Sequence, residues 1–428
     1  MRIAIVGGGI SGNTCVGLLH RNHDVTLFEA NDYVGGHTNT IDIGAYGGSY
    51  TVDTGFMVYN ERTYPNFTRL LSELQVETQD SDMSFSVSCE RTGLEYQGSS
   101  VNGLFAQRSN LIRPAFYRLL WEICRFNRRA TEVRETLSDD LTLEQFLRAE
   151  GFHADLVELY LLPMTAAIWS ASPAQVRVMP ARFLMQFFHN HGLLQLRDRP
   201  QWKTIVGGAR RYVRALLQPL SLRNLRLNSP VQRVTRLASE VVIETQAGAS
   251  ESFDAVIMAC HADQALRMLT DASNAEYSIL NQFPYQRNLA ILHTEVGMLP
   301  RRSAAWASWN YRVTNDPQQP ASVTYDLNRL QCLGAPGPIC VTLNPHRPIH
   351  ERSILRCINY EHPTFGPGTL AAQARRREIS GQRNTYYCGA YWRYGFHEDG
   401  VWSAMQVAAD IQQQHSTADY QMSHMKDT

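Results

Sequence analysis

Residues 1–29 read MRIAIVGGGISGNTCVGLLHRNHDVTLFE. A short apolar run passes directly into Gly7-Gly8-Gly9-Ile10-Ser11-Gly12, a helix-compatible stretch follows, and a second apolar run ends at Glu29. This order is typical of the βαβ unit that binds dinucleotides, because glycines let the backbone approach a pyrophosphate and the helix N-terminus faces it. Glu29 comes where a carboxylate accepts hydrogen bonds from a ribose. The stretch therefore predicts a dinucleotide site; the alternative is a glycine-rich turn without a ligand.

The composition limits the classes of protein to consider. The chain has 428 residues, with 40 basic and 40 acidic side chains, so a nucleic-acid partner is not expected. This length predicts two structural lobes. The eight cysteines are scattered, no run reaches about 18 apolar residues, and the first strand leaves no room for a signal peptide. We expect a cytoplasmic protein with reduced thiols.

Three later motifs suit a cofactor longer than NAD. Paired glycines precede His37 and Thr38, and a strand-like run ends in the turn 53–56. Near the C-terminus, a strand-like run reaches Gly389, and the acids Glu398 and Asp399 open a helical stretch. An acid at a helix start is typical either of a ribityl contact or of an ordinary N-cap.

Together these motifs resemble the flavin-containing amine oxidase superfamily, which includes monoamine oxidases, protoporphyrinogen oxidase and carotenoid desaturases. The middle of the chain is similar too, in the glycine pair of 205–213, the strand 227–231 and the strand 254–259. The resemblance implies an α/β fold with a Rossmann-like FAD-binding lobe (1–75, 200–285 and 375–428). It also implies a discontinuous α+β substrate lobe (76–199 and 286–374).

The resemblance further implies non-covalent FAD and an FAD-dependent oxidoreductase. The residues expected to bind FAD are Gly7, Gly9, Ile10, Ser11, Gly12, Glu29, Ala30, Gly36, His37, Thr38, Asp53, Thr54, Gly55, Phe56, Val231, Ala259, Gly389, Glu398, Asp399 and Val401.

Finer similarity points to one branch. The stretches 55–60, 292–294, 306–311 and 394–400 resemble bacterial flavoproteins found beside, or fused to, cyclopropane fatty-acid synthases. The resemblance implies a lipid or fatty acyl substrate that is unsaturated or methylene-modified. It also implies a synthase-like methyltransferase as a partner.

The residues expected around the substrate fit this branch better than an amine oxidase. Amine oxidases that resemble this chain carry a lysine on a substrate-lobe strand, and the matching stretch 287–291 has none. Phe396 stands near one of their two cage aromatics and lacks a hydroxyl. His293 and His397 are candidate proton carriers, although structural roles are an alternative for both. The predicted substrate pocket comprises Trp306, Trp309, Tyr311, Tyr325, Tyr391, Trp392 and Phe396.

Two further features bear on partners. The segment 104–129 mixes six arginines with aromatic and aliphatic residues. This pattern is typical either of a surface helix packed on the substrate lobe or of a helix lying on the inner face of an anionic membrane. No metal site is expected, because His189 and His191 point apart on a helix.

The sequence thus predicts oxidation, desaturation or isomerisation of a fatty acyl chain by hydride transfer to FAD. One alternative is a flavin amine oxidase. The other is a non-catalytic flavoprotein that accompanies a lipid methyltransferase.

Overall fold

The computed structural model describes residues 1–195, 198–314, 316 and 321–426, with backbone alone over 415–426. Its strands form five sheets. The strands are β1 (Arg2–Val6), β2 (Asp24–Phe28), β3 (Thr40–Ala45), β4 (Gly48–Asp53), β5 (Tyr59–Asn60), β6 (Thr78–Ser81), β7 (Phe85–Cys89), β8 (Glu95–Gln97), β9 (Trp202–Ile205), β10 (Leu225–Arg226), β11 (Val231–Arg236), β12 (Val241–Thr245), β13 (Ser250–Phe253), β14 (Ala255–Met258), β15 (Tyr285–His293), β16 (Trp309–Val313), β17 (Ser322–Asp326), β18 (Cys340–Leu343), β19 (Ile354–Pro363) and β20 (Thr385–Tyr387).

The helices lie between and around these strands. They are α1 (Ile10–Leu19), α2 (Pro65–Glu73), α3 (Val101–Leu104), α4 (Pro114–Val133), α5 (Leu143–Ala149), α6 (Ala154–Leu156), α7 (Leu162–Trp169), α8 (Pro173–Val178), α9 (Ala181–Asn190), α10 (Arg210–Leu217), α11 (Ala262–Met268), α12 (Asn274–Leu280), α13 (Leu327–Gln331), α14 (Thr369–Ala374), α15 (Arg376–Ile379) and α16 (His397–Lys426). In the part of the chain that the structure describes, no helix is long and apolar enough to cross a membrane.

A parallel five-stranded sheet organises the nucleotide lobe, with strand order β10-β2-β1-β14-β20. Strand β1 pairs in parallel with β2 on one side and β14 on the other. All but the first residue of β1 are buried, as expected for a central strand covered on both faces. The predicted strand–turn–helix–strand unit is therefore present, and the α/β fold class is confirmed.

A mixed seven-stranded sheet organises the second lobe, with order β19-β15-β18-β17-β16-β7-β8. Its strands pair antiparallel except for the parallel pair of β16 with β7. A helical layer from α4 to α9 shares an apolar core with this sheet, in which Val87 and Val323 from the strands pack with Phe126 and Phe187 from the helices. The lobe boundaries inferred from sequence stay a prediction.

Helix α1 starts close to the carboxyl end of β1 because Gly12 lets the helix approach the turn after that strand. A Cβ at Gly12 would lie 2.0 Å from the Gly7 carbonyl oxygen, a backbone atom that cannot move aside. By contrast, a Cβ at Gly17 would meet only the end of the flexible Leu216 side chain, at 2.6 Å. The close approach places the N-terminus of α1 directly after β1.

We expect Gly12→Ala to destabilise the protein by about 2–3 kcal/mol, as overpacking does, and to displace the N-terminus of α1. Gly17→Ala is the matched control, because the same added methyl group on the same helix meets a movable side chain. Chemical denaturation of both variants measures the difference. Equal stabilities would contradict the packing role of Gly12.

Candidate cofactor site and cavity

A cavity of about 940 Å³ lies between the two lobes. One part of it is lined by the turn after β1 and by residues 28–31, at the carboxyl ends of two parallel strands. Another part is lined by strands of the seven-stranded sheet and by α7 and α9. Ligands of open α/β sheets bind outside the carboxyl ends of the strands. The position of the cavity is therefore the one that the βαβ motif predicts.

The turn after β1 is built to receive an anion. Gly7 has φ +108°, a conformation that favours glycine. Gly9 caps α1 without any side-chain hydrogen bond, so the first N–H groups of the helix are left for a ligand. A Cβ at Gly9 would meet no protein atom within 4 Å, because this face of the turn borders the open cavity.

The Glu29 carboxylate is buried at the end of β2 and lines the cavity. Its Oε2 accepts a hydrogen bond from the Gly8 N–H at 2.7 Å. Its Oε1 accepts from the Asn31 N–H at 2.9 Å and from the Asn31 side chain at 2.8 Å. A carboxylate has about four acceptor positions, so the oriented group retains capacity for a ribose hydroxyl.

Most of the predicted FAD-binding residues line this one cavity. They are Gly7, Gly9, Ile10, Ser11, Glu29, Ala30, Gly36, His37, Thr54, Gly55, Phe56, Val231, Ala259 and Gly389. Six others do not line it: Gly12, Thr38, Asp53, Glu398, Asp399 and Val401. Gly12 serves packing, and Val401 is 1% exposed in the nucleotide-lobe core.

Asp53 binds backbone and does not line the main cavity, and its role as a cofactor ligand stays a prediction. Both carboxylate oxygens accept from the Ala209 N–H, at 3.0 and 2.9 Å, and the Thr40 hydroxyl donates at 2.5 Å. Burial raises the pKa of Asp53 to about 6. The residue thus joins the end of β4 to the start of α10.

Glu398 and Asp399 are likewise bound to backbone rather than directed at the cavity. Glu398 accepts from the N–H groups of Asn66 and Phe67, at 3.2 and 3.0 Å, at the start of α2. Asp399 accepts from the N–H groups of Tyr394 and Phe396, at 3.1 and 2.9 Å. Both acids line a separate cavity of about 520 Å³.

Thr38 and His397 belong to a separate hydrogen-bond network with Tyr212. The Thr38 hydroxyl contacts the Tyr212 hydroxyl at 2.5 Å and His397 Nε2 at 2.9 Å. His397 lines the main cavity, with its ring stacked on Phe56 at a centroid distance of 3.5 Å. Burial lowers the pKa of His397 to about 3. A neutral imidazole whose Nε2 already has partners is poorly suited to the predicted role of proton carrier.

His293, predicted to be catalytic, does not line the cavity. Its Nδ1 accepts from the Glu295 N–H at 3.0 Å, and its Nε2 lies 2.7 Å from the Thr342 hydroxyl. The side chain is fully buried, and burial lowers its pKa to about 4. His293 therefore makes structural hydrogen bonds at the end of β15, inside the second lobe.

The predicted substrate pocket is only partly correct. Trp309, Tyr325, Tyr391 and Phe396 line the cavity. Trp306, Tyr311 and Trp392 do not: the Trp306 N–H donates to the Pro300 carbonyl at 2.7 Å, and the other two are buried in the cores.

Sequence reasoning missed Tyr285, Tyr360 and His362 at the paired ends of β15 and β19, and His261 beside them. Tyr360 stacks on His37 at 4.9 Å, and His261 stacks on Tyr285 at 4.0 Å. All four line the cavity, as does His362. Tyr360 and His362 are two apart on one strand and so share a face, which is the signal that could have found them.

Three side chains that line the cavity carry buried polar atoms that are available to a ligand. His37 Nε2, Trp309 Nε1 and Tyr391 Oη are buried without a hydrogen-bond partner among the described residues, and all three side chains line the cavity. Such atoms are rare in folded proteins unless something binds them. Together with the open face at Gly9 and the oriented Glu29, they fit a long polar cofactor such as FAD.

The glycine turn, the ribose-type carboxylate and a cavity between two lobes define a flavoprotein of the two-lobed oxidoreductase class, with FAD as its cofactor. A sequence model of the flavin-containing amine oxidoreductase family matches residues 16–294, more than half of the chain. The chain belongs to that family.

Comparisons with individual proteins agree. The chain is 26% identical over 266 residues to the putative flavin-containing monoamine oxidase AofH of Mycobacterium tuberculosis, covering 58% of this chain and 55% of the relative. The match thus spans about half the length of that relative.

Solved structures share the whole fold. Cyclohexylamine oxidase from Brevibacterium oxydans IH-35A aligns with a TM-score of 0.72 and 16% identity, covering 97% of this chain and 99% of that chain. The CLA-producing fatty acid isomerase from P. acnes aligns with a TM-score of 0.66 and 15% identity, covering 95% and 98%. Identities this low establish a common fold and nothing finer.

We expect Glu29→Gln to weaken FAD binding about tenfold, since the amide presents an N–H₂ group where Gly8 and Asn31 require acceptors. Titration of FAD into the apoprotein, followed by flavin fluorescence, measures the affinity. Asp32→Asn is the matched control, because Asp32 is exposed outside the cavity lining. An unchanged affinity in Glu29→Gln would remove Glu29 from the binding site.

The buried His293 predicts a pH-dependent stability. Its native pKa of about 4 lies below the unfolded value of 6.5, so its stabilising contribution is complete above pH 6.5 and is lost as the pH falls toward 4. Between pH 8 and pH 5 this one group removes about 2 kcal/mol from the free energy of unfolding. We expect His293→Gln to show a correspondingly smaller decrease in urea denaturation.

The half-exposed His153 provides the control for this measurement. His153→Gln should keep the decrease of the wild-type protein between pH 8 and pH 5. An identical decrease in His293→Gln would show that His293 does not titrate on unfolding.

Proposed function

We propose that this chain catalyses the FAD-dependent two-electron oxidation, desaturation or isomerisation of an unsaturated or methylene-modified fatty acyl chain. The observation that carries the proposal is the character of the cavity in the second lobe. We call this part the apolar arm; its lining includes Met83, Phe85, Met164, Ile168, Leu193, Val341 and Leu343.

Charge favours an acyl chain over a protonated amine. Among the described residues that line the cavity, the carboxylates are Glu29 and Glu361. Glu29 faces the nucleotide end, and Glu361 lies 3.0 Å from Arg287 and 3.3 Å from His261. The apolar arm therefore offers no counter-charge, and burying an unpaired ammonium group is strongly unfavourable.

FAD supplies a two-electron hydride acceptor when bound. The side chains of the apolar arm hold the fatty acyl chain and orient it beside the flavin. Phe396 stacks on Phe187 at 5.0 Å, and His191 stacks on Phe187 at 3.8 Å. These rings exclude water from the bound fatty acyl chain. His191 donates from Nδ1 to the Phe187 carbonyl, so its Nε2 is the basic atom, and burial lowers its pKa to about 4.

An amine oxidase is the second candidate, because the curated relative carries a monoamine oxidase name. The stretch 287–291 lacks the lysine of amine oxidases that resemble this chain. Ala290, in that stretch, is buried between β18 and β19. A protein whose flavin no substrate reduces would match the third candidate, a flavoprotein that accompanies a lipid methyltransferase.

Anaerobic titration of the holoprotein tests these candidates by the visible absorbance of the flavin. We expect bleaching by dispersed unsaturated or cyclopropane phospholipids and none by primary amines. Bleaching by amines alone would replace the proposal with amine oxidation. An unchanged spectrum with both would overturn net oxidation or desaturation of either substrate. Isomerisation, which returns the hydride and leaves the flavin oxidised, is tested in the same samples by chromatography of the recovered acyl chains, and unconverted chains would overturn it.

Filling the apolar arm supplies a second test. Ile168→Trp should reduce the rate of bleaching by the acyl substrate at least tenfold, because the larger ring occupies the space of the chain, whereas chemical reduction by dithionite should be unchanged. Val178→Trp is the matched control, since Val178 is exposed on α8. Equal effects in the two variants would contradict the location of the acyl site.

A further inference from the structure

An exposed apolar surface lies at the start of the helical layer of the second lobe. Val101 is 76% exposed, Ile112 is 85% exposed and Trp121 is 61% exposed, with Leu111 and Tyr117 about half exposed. Large hydrophobic side chains are otherwise mostly buried in this protein. We call these residues and the segment that holds them the 101–121 surface.

Local contacts make this surface contiguous. The Tyr117 hydroxyl donates to the Leu111 carbonyl at 2.9 Å, and the Tyr117 ring lies 6.3 Å from that of Phe105. Arg108 donates to the Asn102 side chain at 2.6 Å, which joins α3 to the following 3₁₀ turn. Trp121 follows Tyr117 by one turn of α4, so both side chains lie on one face.

The exposed residues of α4 lie on a different face of the helix from the residues that pack in the core. Phe116, Leu119, Ile123 and Phe126 are buried against the second-lobe core. The packed-helix alternative raised by the sequence is therefore correct for this face. The opposite face still exposes Tyr117 and Trp121, which no core contact explains.

The charged residues of the 101–121 surface itself are all arginines. Residues 98–121 contain Arg108, Arg113 and Arg118 and no aspartate or glutamate. Arg118 lies 2.9 Å from Asp155, whereas Arg108 and Arg113 are exposed and form no ion pair with a carboxylate in the described ranges. Arginines that flank exposed aromatic and aliphatic side chains are complementary to an anionic phospholipid surface.

The surface adjoins the outer end of the apolar arm. Tyr96, Gly98 and Ser99 line the cavity, and Val101 is two residues after Ser99. Gly98, Ser99 and Arg199 combine cavity lining with exposure, so the cavity reaches the outside beside the 101–121 surface.

We propose that the 101–121 surface docks on an anionic phospholipid bilayer, with Ile112 and Trp121 inserted among the lipids. Docking brings the opening at Gly98 and Ser99 against the bilayer, so an acyl chain passes into the apolar arm without crossing water. The route for the chain rests on the proposed function; the docking itself does not.

Vesicle sedimentation tests the docking. The full-length holoprotein should sediment with phosphatidylcholine vesicles that contain phosphatidylglycerol, less with phosphatidylcholine alone, and less as salt is raised. The double variant Ile112→Ser/Trp121→Ser and the double variant Arg108→Gln/Arg113→Gln should each reduce binding at least tenfold. Leu222→Ser and Arg223→Gln are matched controls, because Leu222 is 91% exposed and Arg223 is exposed on another part of the protein.

The outcomes separate docking from catalysis. Absence of sedimentation, or equal losses in the test and control variants, would overturn docking. Docking variants should retain the wild-type rate of flavin bleaching by an acyl substrate dispersed in detergent and should lose rate at least fivefold on vesicles. Failure both to bleach the flavin and to convert the acyl substrate in detergent, with vesicle binding intact, would overturn the proposed function while docking stands.

Discussion

The close contact between α1 and the turn after β1 is the constraint on which the rest of the structure depends. With Gly12 against the Gly7 carbonyl, α1 begins at the edge of the parallel sheet and points its free N–H groups at the cavity. The same helix is then covered by α16, where the Ser11 hydroxyl donates to the Gly400 carbonyl at 3.1 Å. Because α16 is seated there, its first residue, His397, reaches the cavity.

Buried carboxylates organise this region chiefly by binding backbone N–H groups. Glu29 orients the glycine turn, Asp53 holds the start of α10, and Glu398 holds the start of α2. Such contacts replace water for donors that a helix start cannot satisfy by itself. Of these three acids, Glu29 alone lines the main cavity, so it remains the one predicted to bind the cofactor, whereas Asp53 and Glu398 bind backbone N–H groups outside that lining.

The nucleotide end of the site was predictable because its motif is local: strand, glycine turn, helix and acid follow one another within 29 residues. The remainder depends on contacts between distant residues. An acid at a helix start has the same local pattern whether it binds a cofactor or another helix, so the sequence could not show that Glu398 contacts the start of α2. The sequence could not place His293 outside the cavity lining, because a polar residue at the end of a strand gives no sign of which neighbour will pair with it.

The order of strands in the parallel sheet has a consequence for how the protein is made. Strand β14 is paired on one side with β1 and on the other with β20, so residues 3–6, 255–258 and 385–387 meet in one sheet. Contacts so far apart in sequence form slowly and carry a large cost in chain entropy. During synthesis, the parallel sheet cannot be completed until residues 385–387 have left the ribosome. The second lobe is therefore synthesised before the cofactor cleft is complete. A chain truncated before β20 leaves one edge of β14 unpaired, and an unpaired strand edge promotes aggregation.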